Sequence, residues 1–303
     1  MNTIHVQAPS KIIFLCGGPT DVAAIKPISL REAFTRVYGK PGLKEFNTVR
    51  PEDFRIFPPH GQYRDWLSFE SEFAEIVDLI ILFSESYGSA AELGAFSKVD
   101  EIAVRLLVVL DDANYNADSF IKHGPVLFLE NTYGPGAVCV LDRKDIKIES
   151  IRNVTDVDLD TFAERLIPAI QKRKTDYRER TTLNPTRPGH IIKFIVGLIQ
   201  HYGALKQEEI RSLLDSTPVK IAPEKLPDYI LCALNAEWIV KDRRGDVVYY
   251  CARPHQKDAL EYRIRKDVKF EDKERWYARI IEFWKSHDSE RFSCIQNALK
   301  VAK

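Results

Sequence analysis

Long apolar runs are missing from this 303-residue chain. None approaches the roughly 20 residues that a membrane-spanning helix needs, so no membrane association is expected. The start, MNTIHVQAPSKII, has neither the basic head nor the apolar stretch of a secretory leader, and the expectation is a cytoplasmic protein. Cysteine is sparse and unpatterned: Cys16, Cys139, Cys232, Cys251 and Cys294 show no CxxC spacing. That speaks against a disulfide framework and a zinc site, and predicts buried, reduced thiols with no metal. Net charge is absent too, because 44 basic residues balance 44 acidic ones. No global field draws such a chain to nucleic acid, and any such contact needs a local basic patch. Internal repeats and low-complexity tracts are also lacking. What is present is a 45% hydrophobic, 11% aromatic composition, enough for a large core and, at this length, two domains.

The first half alternates short apolar runs with helical patterns. KIIFLCGG reads as a buried strand ending in two glycines, and FRIFPPH as a second strand stopped by Pro58 and Pro59. WLSFESEFAEIVD carries Trp66, Leu67, Phe69, Phe73, Ile76 and Val77 at helical spacing. LIILF is a third strand, AAELGAFSKV a helix, RLLVVL a fourth strand and PVLFL a fifth. Continuous apolar runs separated by helices predict an α/β, flavodoxin-like parallel sheet with helices on both faces. Ligands of such sheets bind beyond the carboxyl ends of the strands. Those ends here, CGGPTD, PPHGQ, SESYGS and DDANYN, are small and polar, as a pocket rim should be.

Residues 171–190 are almost free of apolar side chains and locally basic, which fits a solvated linker or an arm for a nucleic-acid backbone. Beyond it, HIIKFIVGLIQHYG, KQEEIRSLL and PEKLPDYILCALNAEWIV read as three helices, and WIVKDRRGDVVYYCA as a hairpin turning at RRGD. Three helices followed by a two-stranded wing is the order of a winged helix-turn-helix domain. The expected boundaries are 1–150 for the α/β domain, 151–187 for a helical linker, 188–252 for the winged helix and 253–303 for a helical tail.

The motif LIILFSESYGSAAELGAFS, residues 79–97, holds the main question. Ser89 followed by Glu92 has the spacing of a capping box, in which Glu92 needs no function. In the first helical turn past a central strand, Glu92 would instead be held ionised by the helix dipole and could attack an electrophilic sugar carbon. Gly17 and Gly18 occupy the first strand-to-helix turn after Cys16. They read as a tight turn or as a close approach to substrate, with helix-end amides for a phosphate. Asp21 is a candidate cap for the following helix. Glu85 reads as a pocket-lining group or one that satisfies loop amides. Asp78 reads as a loop or cap residue, and Asp111 and Asp112 as turn caps or ribose ligands. Phe57 is a candidate for stacking on a base, and His60 reads as a loop histidine. On the wing, Lys241, Arg243 and Arg244 suit phosphate contacts. The helix before it carries one lysine, Lys225, against Glu224, Asp228 and Glu237, a poor composition for reading a major groove.

The stretch ILFSESYGSAAELGAFS resembles the signature of the nucleoside 2-deoxyribosyltransferase superfamily. That resemblance implies that Glu92 is the nucleophile attacking C1′ of a nucleoside and that Glu70, on the preceding helix, is a second carboxylate. The superfamily has aspartate at the place of Glu70 and an acidic residue at the place of Ser86. The implied substrate-binding set is Cys16, Gly17, Gly18, Phe57, Glu85, Ser86, Gly88 and Ser89. Together IIFLCGG, AEIVDLIILFSESYGSAAELGAFS and SFIKHGPVLFL, followed by a winged helix, resemble the effector proteins of bacterial retrons. This second resemblance implies a toxin-like anti-phage effector that hydrolyses an N-glycosidic bond. It needs no cofactor, with NAD or another nucleotide as its substrate. Its implied partners are the retron reverse transcriptase and its msDNA, an RNA–DNA hybrid, which hold it inactive. A homo-oligomer is implied as well. Lys241, Arg243 and Arg244 are then partner-binding residues. Two other readings stay open: a metabolic nucleoside 2-deoxyribosyltransferase, and a nucleotide-sensing winged-helix transcription regulator.

Overall fold

A computed structural model describes residues 4–21, 23–56, 62–175, 180–262 and 272–300. The chain divides into two compact units. One comprises Lys11–Asp53 and Val77–Arg178; the other comprises Met1–Ser10, Phe54–Ile76 and Glu179–Lys303. The units interleave along the chain, whereas the boundaries expected after residues 150, 187 and 252 are contiguous ones.

The unit of Lys11–Asp53 and Val77–Arg178 is built on a five-stranded, all-parallel sheet. Its strands run in the spatial order Asn47–Val49, Ile12–Cys16, Leu79–Phe83, Leu106–Asp111, Val138–Leu141. In chain order that is 2-1-3-4-5, the flavodoxin-like arrangement, with the strand order reversing between Ile12–Cys16 and Leu79–Phe83. Every residue of the three central strands is buried, which is why their sequences are continuous apolar runs. Alternate residues serve opposite faces. Ile13, Leu15, Leu79, Ile81, Phe83, Leu107 and Val109 join one core cluster. Leu30, Phe34 and Val37 of the helix Leu30–Val37 and Phe162, Leu166 and Ile170 of the helix Leu159–Thr175 complete it. Asp78 staples the sheet: its carboxylate accepts from the Ile12 amide at 2.7 Å, and its own amide donates to the Ile12 carbonyl at 3.0 Å.

Two strands differ from the sequence expectation. PVLFL is not the fifth strand. Residues Lys122–Val126 form a π-helical turn that runs into the helix Leu127–Tyr133, and the fifth strand is VCVL, Val138–Leu141. Burial there falls on Pro125, Val126 and Leu129, a helical interval rather than an alternating one. FRIFPPH is not the second strand either: Asn47–Val49 is, pairing with Ile12–Phe14. Phe54–Ile56 carries no strand, and Phe57 and His60 lie outside the described residues.

The other unit contains the helix Trp66–Ala74, capped by Asp65, whose carboxylate accepts from the Ser68 amide at 2.7 Å. Its helices Pro188–Tyr202, Gln207–Asp215 and Lys225–Asn235 precede the hairpin Ile239–Arg244 and Val247–Ala252. A short strand, Ala204–Leu205, pairs with Tyr250–Cys251 on the free edge of Val247–Ala252. Trp238 is fully buried and donates its indole N–H to Ser10 Oγ at 3.0 Å. A second three-stranded sheet places Ile4–Gln7 between Leu260–Tyr262 and Arg180–Thr182. Part of the expected basic linker is thus a strand, and the tail holds one as well as the helices Lys273–His287 and Ser289–Lys300. All five cysteines are free thiols and buried. Among the described residues no helix is long and apolar enough to cross a membrane.

Candidate active site

The carboxyl ends of Ile12–Cys16 and Leu79–Phe83 meet at the point where strand order reverses. The first ends in Gly17 and Gly18, whose fit is determined by the second. A Cβ on Gly17, where φ is +149°, would lie 2.9 Å from Phe83 Cβ and 3.2 Å from Arg31 Cβ. A Cβ on Gly18 would lie 2.8 Å from Glu85 Oε1. Both glycines are required by close packing within the protein, so the approach expected toward a ligand is made to Glu85. Cys16 itself is fully buried.

Glu85 takes the place expected for a phosphate. Its Oε1 accepts from the Gly18 amide at 2.8 Å and the Arg31 amide at 3.1 Å, and its Oε2 from the Leu30 amide at 2.7 Å. The N-terminal amides of the helix Leu30–Val37 are therefore already satisfied, and that helix end is not free to hold a phosphate. Burial pushes the Glu85 carboxyl above the usual carboxylate range, against the downward pull of the Leu30, Gly18 and Arg31 amides and the Arg31 charge. The cap of this helix is Ser29, which accepts from the Glu32 amide. Asp21, expected to cap it, instead accepts from the Ala23 amide at 2.9 Å.

The helix Tyr87–Phe96 carries Glu92. Its N-cap is Ser86, and the capping box closes between Ser86 and Ser89: Ser89 N donates to Ser86 Oγ at 3.1 Å, and Ser86 N to Ser89 Oγ at 2.9 Å. Ser89 also receives the Glu85 amide. The capping box expected between Ser89 and Glu92 is thus shifted by three residues, one turn toward the N-terminus. Glu92 sits in the second turn of the helix, not the first, and has no capping duty. Its Oε2 is buried with no hydrogen-bond partner. Burial is the largest influence and pushes the Glu92 carboxyl up; the Arg31 charge pulls it down, and the Glu52 charge pushes it up. Glu92 thus lies one turn beyond the helix start whose dipole was expected to favour its charge, and burial works against that charge.

Arg31 and Glu52 were not flagged by the sequence. Arg31 is only 6% exposed, donates to both oxygens of Glu52 at 3.0 and 2.6 Å, and leaves its Nε buried without a partner. An arginine in an amphipathic helix reads as solvent-facing. The one hint lay in the neighbours, since Leu30, Ala33 and Phe34 surround it with apolar residues.

Two cavities lie in this unit, the first beside the carboxyl ends of Leu79–Phe83 and Leu106–Asp111, the second beside the helix Leu30–Val37 and the strand Asn47–Val49. One, about 280 Å³, is lined by Ser84, Glu85, Ser86, Tyr87 and Ala90 from the motif and by Asn114 and Arg152 among others. The other, about 580 Å³, is lined by Thr20, Arg36, Tyr38, Thr48, Arg50 and Asp53 among others. Glu92 lies outside both linings. Gly88 is exposed with open space around it, the nearest atom to an added Cβ being Ser86 Oγ at 3.8 Å. Asp111 caps the helix Asp112–Asn116, accepting from Asn114 N at 2.7 Å, and Asp112 pairs with Arg143. Both are engaged as turn and cap residues.

Glu70 belongs to the other unit, buried on the helix Trp66–Ala74. The same unit holds the basic residues of the hairpin, which do not form one patch. Strand alternation puts Lys241 and Arg243 on one side and Arg244 on the other. Arg244 donates to Cys294 Sγ at 3.4 Å, Ser293 Oγ at 3.3 Å and Asp242 at 3.2 Å, so it fastens the hairpin to the helix Ser289–Lys300. Lys241 and Arg243 are exposed.

Residues 27–241 match the STM3845 retron effector protein family. Among curated proteins, the chain is 40% identical over 119 residues, 39% of its length, to one Escherichia coli protein and 37% identical over 60 residues, 20% of its length, to another. They are the Retron Ec86 and Retron Ec73 putative ribosyltransferase/DNA-binding proteins. These matches span 36% and 19% of the two relatives.

Proposed function

Because the chain belongs to the STM3845 retron effector protein family, we propose that this retron-associated effector is a toxin of anti-phage defence that cleaves the N-glycosidic bond of NAD or another nucleotide. The observation that carries this reading is the Glu92 carboxylate: past the strand-order reversal, desolvated, and with one oxygen free of any hydrogen bond. A carboxylate oxygen buried without a hydrogen bond among the described residues is costly, and a role in chemistry accounts for it.

In the proposed reaction, Glu92 attacks C1′ of the ribose as the C1′–N bond breaks through an oxocarbenium-like state, and the bonding pair leaves with the base. Nicotinamide leaves as a neutral molecule because its ring is cationic in NAD, so little protonation is needed. Water then hydrolyses the glycosyl ester, returning the carboxylate and freeing the sugar. Glu70 is assigned as the second carboxyl, orienting sugar hydroxyls or assisting the departing base. Ser86 and Gly88 are assigned to the rim nearest the helix start, and Ser89, which is buried, to holding that turn against substrate through its bonds to Ser86 and the Glu85 amide. Cys16, Gly17, Gly18 and Glu85 shape the floor from within the protein. Phe57, which lies outside the described residues, is assigned to the base.

The helices from Pro188 to Asn235 and the following hairpin are assigned as a winged helix-turn-helix module that docks the effector to a reverse transcriptase and its msDNA, which hold it inactive. The exposed Lys241 and Arg243 support a phosphate contact there. Lys225 supports docking over base reading, because it is paired with Glu72 at 2.7 Å and Asp228 at 3.4 Å. The relatives' names favour a second reading of the same site, ribosyl transfer to an acceptor instead of water. Recovery of the sugar on a second base would select it.

The test is expression of the effector alone. Wild type should deplete cellular NAD or nucleotides and slow growth, and Glu92→Gln should do neither. Equal toxicity of the two proteins would remove Glu92 from the mechanism.

A further inference from the structure

We propose that the cavity of about 280 Å³ is a second ligand site of this chain, separate from Glu92, and that it binds a nucleoside monophosphate, with Arg152 on the phosphate and Tyr87 on the base. Its volume is near the lower end of small-molecule sites, roughly 300 Å³. Tyr87 and Ala90 both line it, and three residues apart they share one face of the helix Tyr87–Phe96. Glu92 follows Ala90 by two positions, roughly 200° around the helix axis, and so belongs to the other face. A ligand in the cavity touches the helix that carries Glu92 without reaching its carboxyl.

Arg152 is the uncommitted charge of this lining. It is exposed and forms no ion pair among the described residues. The other charged group there, Glu85, already gives both oxygens to the Gly18, Leu30 and Arg31 amides. A tight turn presents Arg152: Asn153 N donates to the Ser150 carbonyl at 2.9 Å, and Ile151 packs on the core of the parallel sheet. The larger cavity differs in this respect. Its Arg36 is paired with Glu32 at 2.5 Å and its Arg50 with Asp53 at 2.6 Å, and all four belong to that lining. Of the two cavities, the smaller is therefore the one that offers an anion an unopposed cation. A single free guanidinium suits one phosphate group, which it can hold by two parallel hydrogen bonds.

The rest of the lining suits a nucleoside. Ser84 is only 7% exposed, yet its hydroxyl makes no hydrogen bond among the described residues. Asn114 uses its backbone amide on Asp111 and leaves its side-chain amide equally unclaimed. Polar groups so placed ordinarily have partners, and ribose hydroxyls or a base edge would supply them. Leu110 and Ile121 add apolar wall for a flat ring. Tyr87 is 89% exposed, so its ring adds little to the core and is open to stacking on a base. Ile121 directly precedes the π-helical turn Lys122–Val126, and turns of this rare type frequently mark functional sites.

The experiment is calorimetric titration of full-length protein with AMP, GMP, CMP and UMP, using the matching nucleosides and inorganic phosphate as controls. At least one monophosphate should bind saturably, and its nucleoside and phosphate alone should each bind about tenfold more weakly or worse. Arg152→Gln should weaken that monophosphate about tenfold or more and leave the nucleoside unmoved, and Arg152→Lys should recover part of the loss. Tyr87→Ala should weaken nucleotide and nucleoside alike, by about fivefold or more. Both side chains are exposed, so neither substitution should change Tm. Glu92→Gln should stay within about twofold of wild-type affinity, as expected of separate sites. No saturable monophosphate binding, or binding that Arg152→Gln does not weaken, overturns the proposal. Loss of binding in Glu92→Gln overturns it too, because the nucleotide would then sit at the nucleophile. The measurement needs no turnover, so a chain that binds as expected but cleaves no glycosidic bond keeps this site and loses the proposed reaction.

Discussion

At Glu92, burial raises the carboxyl above its ordinary range, and one oxygen has no partner. A carboxyl whose folded pKa lies above its unfolded value contributes stability below the unfolded pKa and loses it as pH rises through the folded one. At pH 7 Glu92 is therefore a net liability to the fold, and Glu92→Gln should raise Tm by about 2 °C. The gain should vanish by pH 4, where wild type is protonated as well. Thermal melts at the two pH values check this, and a variant less stable than wild type at pH 7 contradicts it. Glu85 should behave in the opposite way despite its own raised pKa, because it serves three amides. Glu85→Ala leaves those donors buried and unsatisfied and should cost about 3 kcal/mol in chemical denaturation. Gly18→Ala should destabilise as well, since its Cβ would press on the same carboxylate at 2.8 Å. At this scale the sequence placed Glu92 correctly past a central strand and offered Glu85 as a binder of loop amides. It misassigned the cap, because Ser89 and Glu92 have the serine-to-glutamate spacing of a capping box, whereas the box that forms closes between two serines, Ser86 and Ser89. Arg31 was illegible: burial of a charged residue depends on what folds over it from far along the chain.

Among the elements, the central strands were readable because burial on both faces leaves an unbroken apolar run in each. The edges were not. Asn47–Val49 has three residues and no buried one, so nothing in its sequence separates it from a loop. PVLFL has strand composition but helical burial, and five residues are too few for periodicity to decide. The hairpin was found with its turn, yet its three basic residues were taken together although strand geometry separates them. That separation gives a divided expectation. Lys241→Glu with Arg243→Glu should weaken binding to the reverse transcriptase–msDNA complex, more at low salt than at high salt, with Tm unchanged. Arg244→Ala should lower Tm by about 2 °C through loss of its contacts to Ser293 and Cys294. Binding isotherms at two salt concentrations and a melt separate the two. A binding loss confined to Arg244→Ala would contradict the assignment.

For the molecule as a whole, the chain passes between its compact units after residues 10, 53, 76 and 178. A fragment ending at residue 150 would lack the helix Leu159–Thr175, whose Phe162, Leu166 and Ile170 belong to the core of the parallel sheet. Residues 1–150 expressed alone should show no cooperative melting transition; a sharp one would show that this helix is dispensable. Interleaving of this kind leaves no mark in the sequence, where a polar stretch such as 171–190 reads as a linker whether it joins two units or crosses within one.

The most direct test of the account is the base released by purified full-length protein from NAD and from a panel of nucleotides, measured by mass spectrometry for wild type and Glu92→Gln. Wild type should free a base from at least one of them, and Glu92→Gln should be slower by about 10³-fold or more, as when a nucleophile is lost. Equal release by both proteins would contradict it.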